Sequence, residues 1–163
     1  MDSSPDFIVS GEELIALLQE RLAAGQKVRY LPFRGVSMRP LLRQGKDAVE
    51  LSPLPARLGK YDLPVYRYPS GKVVMHRVVD VCEDCYICLG DNTYEYEYIR
   101  SEQLIGLVSA IRRGDKYIPV TAPAYRLYSR IWVNIFPLRR SLRKLRCLLG
   151  KIKRKLGKFW RKP

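Results

Sequence analysis

From Lys27 to Val120 apolar residues recur at every second position in short segments, and Gly-, Pro- or Asp-containing turns separate these about every ten residues. The segments are 28–33, 48–51, 63–68, 72–81, 85–90, 104–113 and 116–120. Pro69-Ser70-Gly71, Glu83-Asp84 and Gly114-Asp115 mark hairpin turns between some of them. Strands this short bury little alone and must pair with their neighbours. The expectation is a mainly β fold, a mostly antiparallel and curled sheet domain.

Two segments at the ends follow a helical period instead. Residues 11–24 predict an amphipathic helix. Ser10 and Glu13 form a capping box, Leu14, Leu18 and Leu22 make its apolar face, Ile15 and Leu17 widen it, and Gly25 stops it. Near the other end Leu138, Leu142, Leu145, Leu149, Ile152, Leu156 and Phe159 are spaced by threes and fours among Lys and Arg, with Pro137 in the first turn. Net charge follows the same division. Residues 1–120 hold 16 Lys/Arg and 16 Asp/Glu, whereas 121–163 hold 14 Lys/Arg and no acidic residue. The predicted organisation is a body over 1–120, with its helix at 11–24 and β-core at 27–120, followed by a basic amphipathic tail over 121–163.

Three short boxes carry residues fit for chemistry. His76, the single histidine, stands in the apolar strand VVMHRVV. Ser37 stands in GVSMRP, between a glycine turn and a proline, where backbone N–H groups can meet an oxyanion. Asp91, in LGDN at a strand end, is placed to accept a ring N–H and hold a histidine tautomer. Each box by itself also fits an ordinary turn or strand.

Together, FRGVSMRPLLRQGKDAVEL, YDLPVYRYPSGKVVMHRVVDV, YICLGDN and LIGLVSAI resemble the superfamily of signal peptidase I and LexA-type serine peptidases, over roughly residues 28–112. The matching boxes are Ser37-Met38-Arg39-Pro40, Lys46-Asp47, Tyr61-Asp62 and Gly90-Asp91-Asn92. The resemblance implies a LexA/signal-peptidase-like β-domain with Ser37 as nucleophile. Bacterial signal peptidases and LexA-type proteins carry Lys where this chain has His76, so the resemblance is to the Ser–His branch, with His76 as general base. Asp91 is the preferred orienting acid and Glu97 the alternative. The backbones of Ser37 and Gly35 are the expected oxyanion donors, and Val36, Met38 and Pro40 the region beside which a substrate strand lies. Two departures stand out: no uncharged apolar run is long enough to span a bilayer, and the acidic N-terminus does not read as a secretory signal.

Cys82, Cys85 and Cys88 invite a metal site, but the one histidine is already assigned, and hairpin or core thiols fit better; Cys147 lies in the tail. Reduced thiols fit a cytosolic chain. Ala24-Gly25 resembles the self-cleavage bond of LexA-type proteins but lies at a helix end, only a short stretch before Ser37. The tail's stripe favours an anionic membrane surface over a protein partner or nucleic acid, because phosphate contact needs no apolar face. Trp132, Leu142, Leu145, Leu149, Ile152, Leu156, Phe159 and Trp160 are the expected membrane contacts. The expectation is therefore a serine endopeptidase that removes a leader or signal-like segment, needs no metal or cofactor, and sits on the cytoplasmic membrane face. A non-catalytic relative that binds membrane or nucleic acid through the tail is its rival.

Overall fold

The structure, a computed structural model, describes residues 11–30 and 35–159. Helix α1 spans Gly11–Ala23. It ends in a Schellman motif, with Gly25 N–H donating to Leu22 and Gln26 N–H to Arg21 while Gly25 takes φ +77°. The Ser10 cap lies outside the described residues, as does the Leu14 side chain. Ile15, Leu18 and Leu22 are buried, but Leu17 is exposed, so the core face is narrower than its leucines suggested. Leu17 follows Ile15 by two positions and so points away from it on a helix.

Among the described residues nine strands follow, in two antiparallel sheets. The larger contains β1 (Val28–Tyr30), β2 (Asp47–Ser52), β3 (Pro64–Arg67), β4 (Val73–Met75), β8 (Leu104–Arg113) and β9 (Lys116–Pro119). Its order is β1-β2-β8-β3-β4, and β9 pairs with β8 beyond the end of β3. The ten-residue β8 is the axis of this sheet, with β2 along one edge and β3 then β9 along the other. The smaller sheet has the order β5 (Arg77–Val81), β6 (Tyr86–Leu89) and β7 (Glu97–Ile99). Register shifts at Glu50/Leu51, Val65/Tyr66 and Val78/Asp80 interrupt the ladders, as bulges do.

The segment read as one strand over 72–81 is two. β4 belongs to the larger sheet, β5 to the smaller, and His76 is the residue between them. Alternation does not reveal the break, because apolar residues continue on both sides of it. β7 is a further departure: it lies outside the segments expected to be strands, although Tyr94, Tyr96 and Tyr98 alternate with Glu95 and Glu97.

The main core joins Leu18 and Leu22 of α1 to Val49, Leu51, Val65, Val108 and Ile111 of the larger sheet. At Gly106 on β8 a Cβ would come within 2.7 Å of Leu22 Cδ1, so glycine there lets the helix seat. A second core forms around Leu58, Tyr66, Val78, Tyr86, Cys88 and Ile99.

Two helices close the described residues, α2 (Pro123–Asn134) and α3 (Phe136–Phe159). The expected boundary at residue 120 is corrected by their packing. Tyr125 and Ser129 of α2 and Phe136 of α3 are buried, and Tyr125 joins the main core. The first third of the expected tail therefore belongs to the body. Its spacing hid this, because α2 buries polar atoms against a buried arginine rather than a leucine stripe.

Candidate active site

His76 is buried where the chain leaves one sheet for the other. Its Nδ1 lies 2.8 Å from Glu97 Oε2 and 3.2 Å from Tyr66 Oη. Tyr66 also donates its phenol hydrogen to the same Glu97 oxygen. A carboxylate only accepts, so Nδ1 carries a ring proton, and Nε2 is the nitrogen left to act as a base. Burial alone would raise the Glu97 pKa, but hydrogen bonds from His76, Tyr66 and Tyr68 more than offset it and hold the group below its ordinary value. The pair is thus an anion orienting a base. Burial, with help from the Cys88 and Glu97 charges, pushes the Tyr66 phenol far above its usual range, so it stays a donor.

Ser37 lies in the connection between β1 and β2, which is pinned from below by the buried Met38, Leu41 and Leu42. Arg39 N–H donates to Val36 O and Leu42 N–H to Met38 O, turning the chain just past the serine. The fully buried Asp47 accepts from the Arg43 amide at 2.9 Å and from its guanidinium at 2.8 Å, closing the far end of this loop.

The Gly90-Asp91-Asn92 turn brings Ser37 and His76 together. Asn92 N–H donates to Ser37 O at 2.7 Å, and Asn92 Nδ2 to Val36 O at 3.2 Å. A Cβ on Gly90 would lie 2.9 Å from Ser37 O and 3.0 Å from His76 Cδ2, so only glycine fits between them. Both residues line one cleft of about 320 Å³, with Met38, Leu42, Tyr68, Val73, Met75 and Thr93 among its other walls. Among the described residues the Ser37 hydroxyl has no hydrogen-bond partner and His76 Nε2 has none, so both are left to the cleft.

The preferred orienting acid, Asp91, is not at His76. Its two oxygens take a bidentate pair from the Arg77 Nε and Nη2, each 3.0 Å away, and Tyr128 Oη donates to Oδ2 at 2.8 Å. His76 stands in the break between β4 and β5, and Arg77, the first residue of β5, faces the other way and takes Asp91 with it. Arg77 is fully buried, and its remaining nitrogen reaches Ser129 Oγ, Tyr125 Oη and Tyr61 O. The alternative, Glu97, holds the histidine instead.

The expected oxyanion donors also separate. Gly35 N–H donates to Gln44 Oε1 at 3.3 Å, because the loop folds back on itself there. Ser37 N–H and Met38 N–H have no partner among the described residues. Of the expected substrate-strand residues, Val36 and Pro40 are exposed, whereas Met38 is buried in the core. Trp132, an expected membrane contact, is half-buried: its indole donates to Asp91 O at 2.8 Å, stacks on Tyr128 and lies under the Arg139 guanidinium, so it anchors α2 to the body. Leu142, Leu145 and Leu149 are exposed on α3. The side chains of Ile152, Leu156 and Phe159, and all of Trp160, lie outside the described residues.

Sequence patterns do not single out Tyr66 or Asn92. Tyr66 reads as one more strand aromatic, and only its fully buried hydroxyl reveals a role. Asn92 is visible within the Gly-Asp-Asn box, but the neighbouring acid reads as the member fit for chemistry. The four cysteines are free; burial, with the charges of Glu97 and Cys85, pushes the Cys88 thiol up to about 12, which makes it inert as a nucleophile. Among the described residues no His/Cys/Asp/Glu group forms a metal-holding cluster, and no helix is long and apolar enough to cross a membrane. Comparison with protein-family models, curated proteins and solved structures finds no match for this chain.

Proposed function

We propose that this protein is a serine endopeptidase of the signal-peptidase type, with Ser37, His76 and Glu97 as its working residues. The observation that carries the reading is the His76–Glu97 pair in the wall of a cleft that Ser37 also lines. Ser37 Oγ attacks the scissile carbonyl carbon and passes its proton to His76 Nε2. Glu97 holds the ring through Nδ1–H and stabilises the imidazolium as it forms. The N–H groups of Ser37 and Met38, which have no partner among the described residues, are the donors offered to the developing oxyanion. His76 then protonates the leaving amine, the acyl-serine remains, and water activated by the same Nε2 hydrolyses it.

Strand addition supports a peptide as substrate. Among the described residues β4 pairs with β3 alone, and its residues Val73, Val74 and Met75 line the cleft together with Gly35 and Ser37. An extended peptide laid along the other edge of β4 passes the serine with its backbone hydrogen-bonded. The reading includes removal of a leader or signal-like segment, and peripheral attachment to an anionic membrane through the basic α3.

The test is mass-spectrometric cleavage of a diverse peptide library by the parent, Ser37→Ala and His76→Ala, with anionic vesicles present. Cuts lost in both variants are the expected result. Cuts that survive in both would sink the mechanism. Intact vesicle binding without any cleavage, natural substrate included, would favour the non-catalytic rival.

A further inference from the structure

The apolar stripe of the tail continues onto α2, through two residues that the tail reading does not include, Leu127 and Ile131. α2 and α3 are separated only at Ile135, and the bonds Ile135 N–H to Ile131 O and Arg139 N–H to Ile135 O carry the helical ladder across the break. Along this path Leu127, Ile131, Leu138, Leu142, Leu145 and Leu149 are all exposed, Leu127 by 60%, Ile131 by 48% and Leu138 by 62%. At about 100° per residue the six fall within an arc of about 60°, and they extend over about 33 Å. Tyr125, Ser129 and Trp132, which hold α2 to the body, lie on the other side of the helix. Arg130 and Arg146 border the stripe on its two flanks.

We propose that this stripe is a single docking face for an anionic lipid bilayer, and that its first third, Leu127 and Ile131, seats the folded body itself on the surface. The inference rests on the membrane reading of α3 and deepens it. A straight stripe with basic flanks matches a flat surface that is apolar below and anionic at its headgroups. Charge complementarity favours this occupant, since residues 121–163 hold 14 Lys/Arg and no Asp or Glu. Attachment through α3 alone would reach the body only by way of Phe136 and Arg139 at its start. Attachment through α2 fixes it, because α2 bonds to Arg77 and Asp91, and Asn92 next to Asp91 holds the Ser37 backbone. The cleft then keeps one orientation to the membrane.

The experiment uses the full chain in co-sedimentation with vesicles of phosphatidylglycerol and phosphatidylcholine, against phosphatidylcholine alone. Two double variants are compared with the parent: Leu127→Asp with Ile131→Asp on α2, and Leu145→Asp with Leu149→Asp on α3. All four positions are about half exposed or more, and melting temperatures check that the fold survives. The expected result is binding that requires phosphatidylglycerol and weakens by about tenfold or more in each double variant. Weakening by the α3 pair with no change from the α2 pair would overturn the body contact and leave the tail reading standing. A parent that ignores both vesicles would overturn the two together, and so would one that instead binds an oligonucleotide with steep salt dependence.

Discussion

Replacing Glu97 by Gln separates the two carboxylates that compete for the histidine. The amide has the same shape as the carboxylate and can still take a hydrogen bond, but it has no charge to set against the imidazolium that forms during attack. Two hydrogen bonds now reach Glu97 Oε2, one from His76 Nδ1 at 2.8 Å and one from the Tyr66 phenol. Charged hydrogen bonds contribute about 1.5–3 kcal/mol against about 1 kcal/mol for neutral ones, a difference of about 2- to 30-fold in rate. If the amide nitrogen turns to Nδ1 the ring is driven into the wrong tautomer, and the loss approaches about 10⁴. The expected fall in kcat/KM is therefore between about twofold and about 10⁴-fold, with little change in stability because Glu97 is part-exposed. Asp91→Asn gives the opposite pattern. It removes the countercharge of the fully buried Arg77, at a cost of about 3–5 kcal/mol of folding stability. Activity on a cleaved reporter peptide and urea unfolding are measured on the same preparations. An Asp91→Asn protein that loses activity at full stability, beside a Glu97→Gln protein that keeps all of it, would refute the assignment of Glu97.

Gly90→Ala should lower stability by about 1–3 kcal/mol through overpacking and reduce activity further, because the added methyl meets Thr93 Cγ2 at 2.8 Å as well as Ser37 and His76; thermal unfolding beside the peptide assay reads both effects. Arg77→Met should loosen α2 as well as destabilise the fold, seen as faster amide exchange over 123–134, since the guanidinium holds Ser129 and Tyr125. Acid should weaken the loop that carries Ser37. Burial would raise the Asp47 pKa, but bonds from the Arg43 side chain and backbone and the charge of Arg113 hold it below the ordinary carboxylate range. A lowered folded pKa gives stability that is full above the unfolded value of about 3.9 and lost as pH falls through the folded one. Urea midpoints from pH 7 to pH 3 should accordingly fall less steeply for Asp47→Asn than for the parent, and parallel curves would count against it.

Much of the scaffold was legible in the residue order. Strict alternation located β2, β3, β6, β8 and β9 to within a residue or two, and Glu83-Asp84 marked the β5–β6 turn, where Cys82 N–H bonds to Cys85 O. These elements are set by local periodicity and turn chemistry, which neighbouring residues carry in full. The same holds for the boxes around Ser37, His76 and Gly90, and for the exposed leucines of α3.

The tertiary structure decided which partner each of those groups received. Whether Asp91 or Glu97 reaches His76 depends on the break between β4 and β5, which turns His76 one way and Arg77 the other. Whether Gly35 N–H is free depends on where Gln44 falls, further along the same loop. Whether Trp132 meets lipid or Asp91 depends on α2 packing over Arg77, which belongs to a distant strand of the chain. A residue type fixes how many hydrogen bonds a side chain can give or take, but only long-range packing determines which of several suitable partners comes within reach.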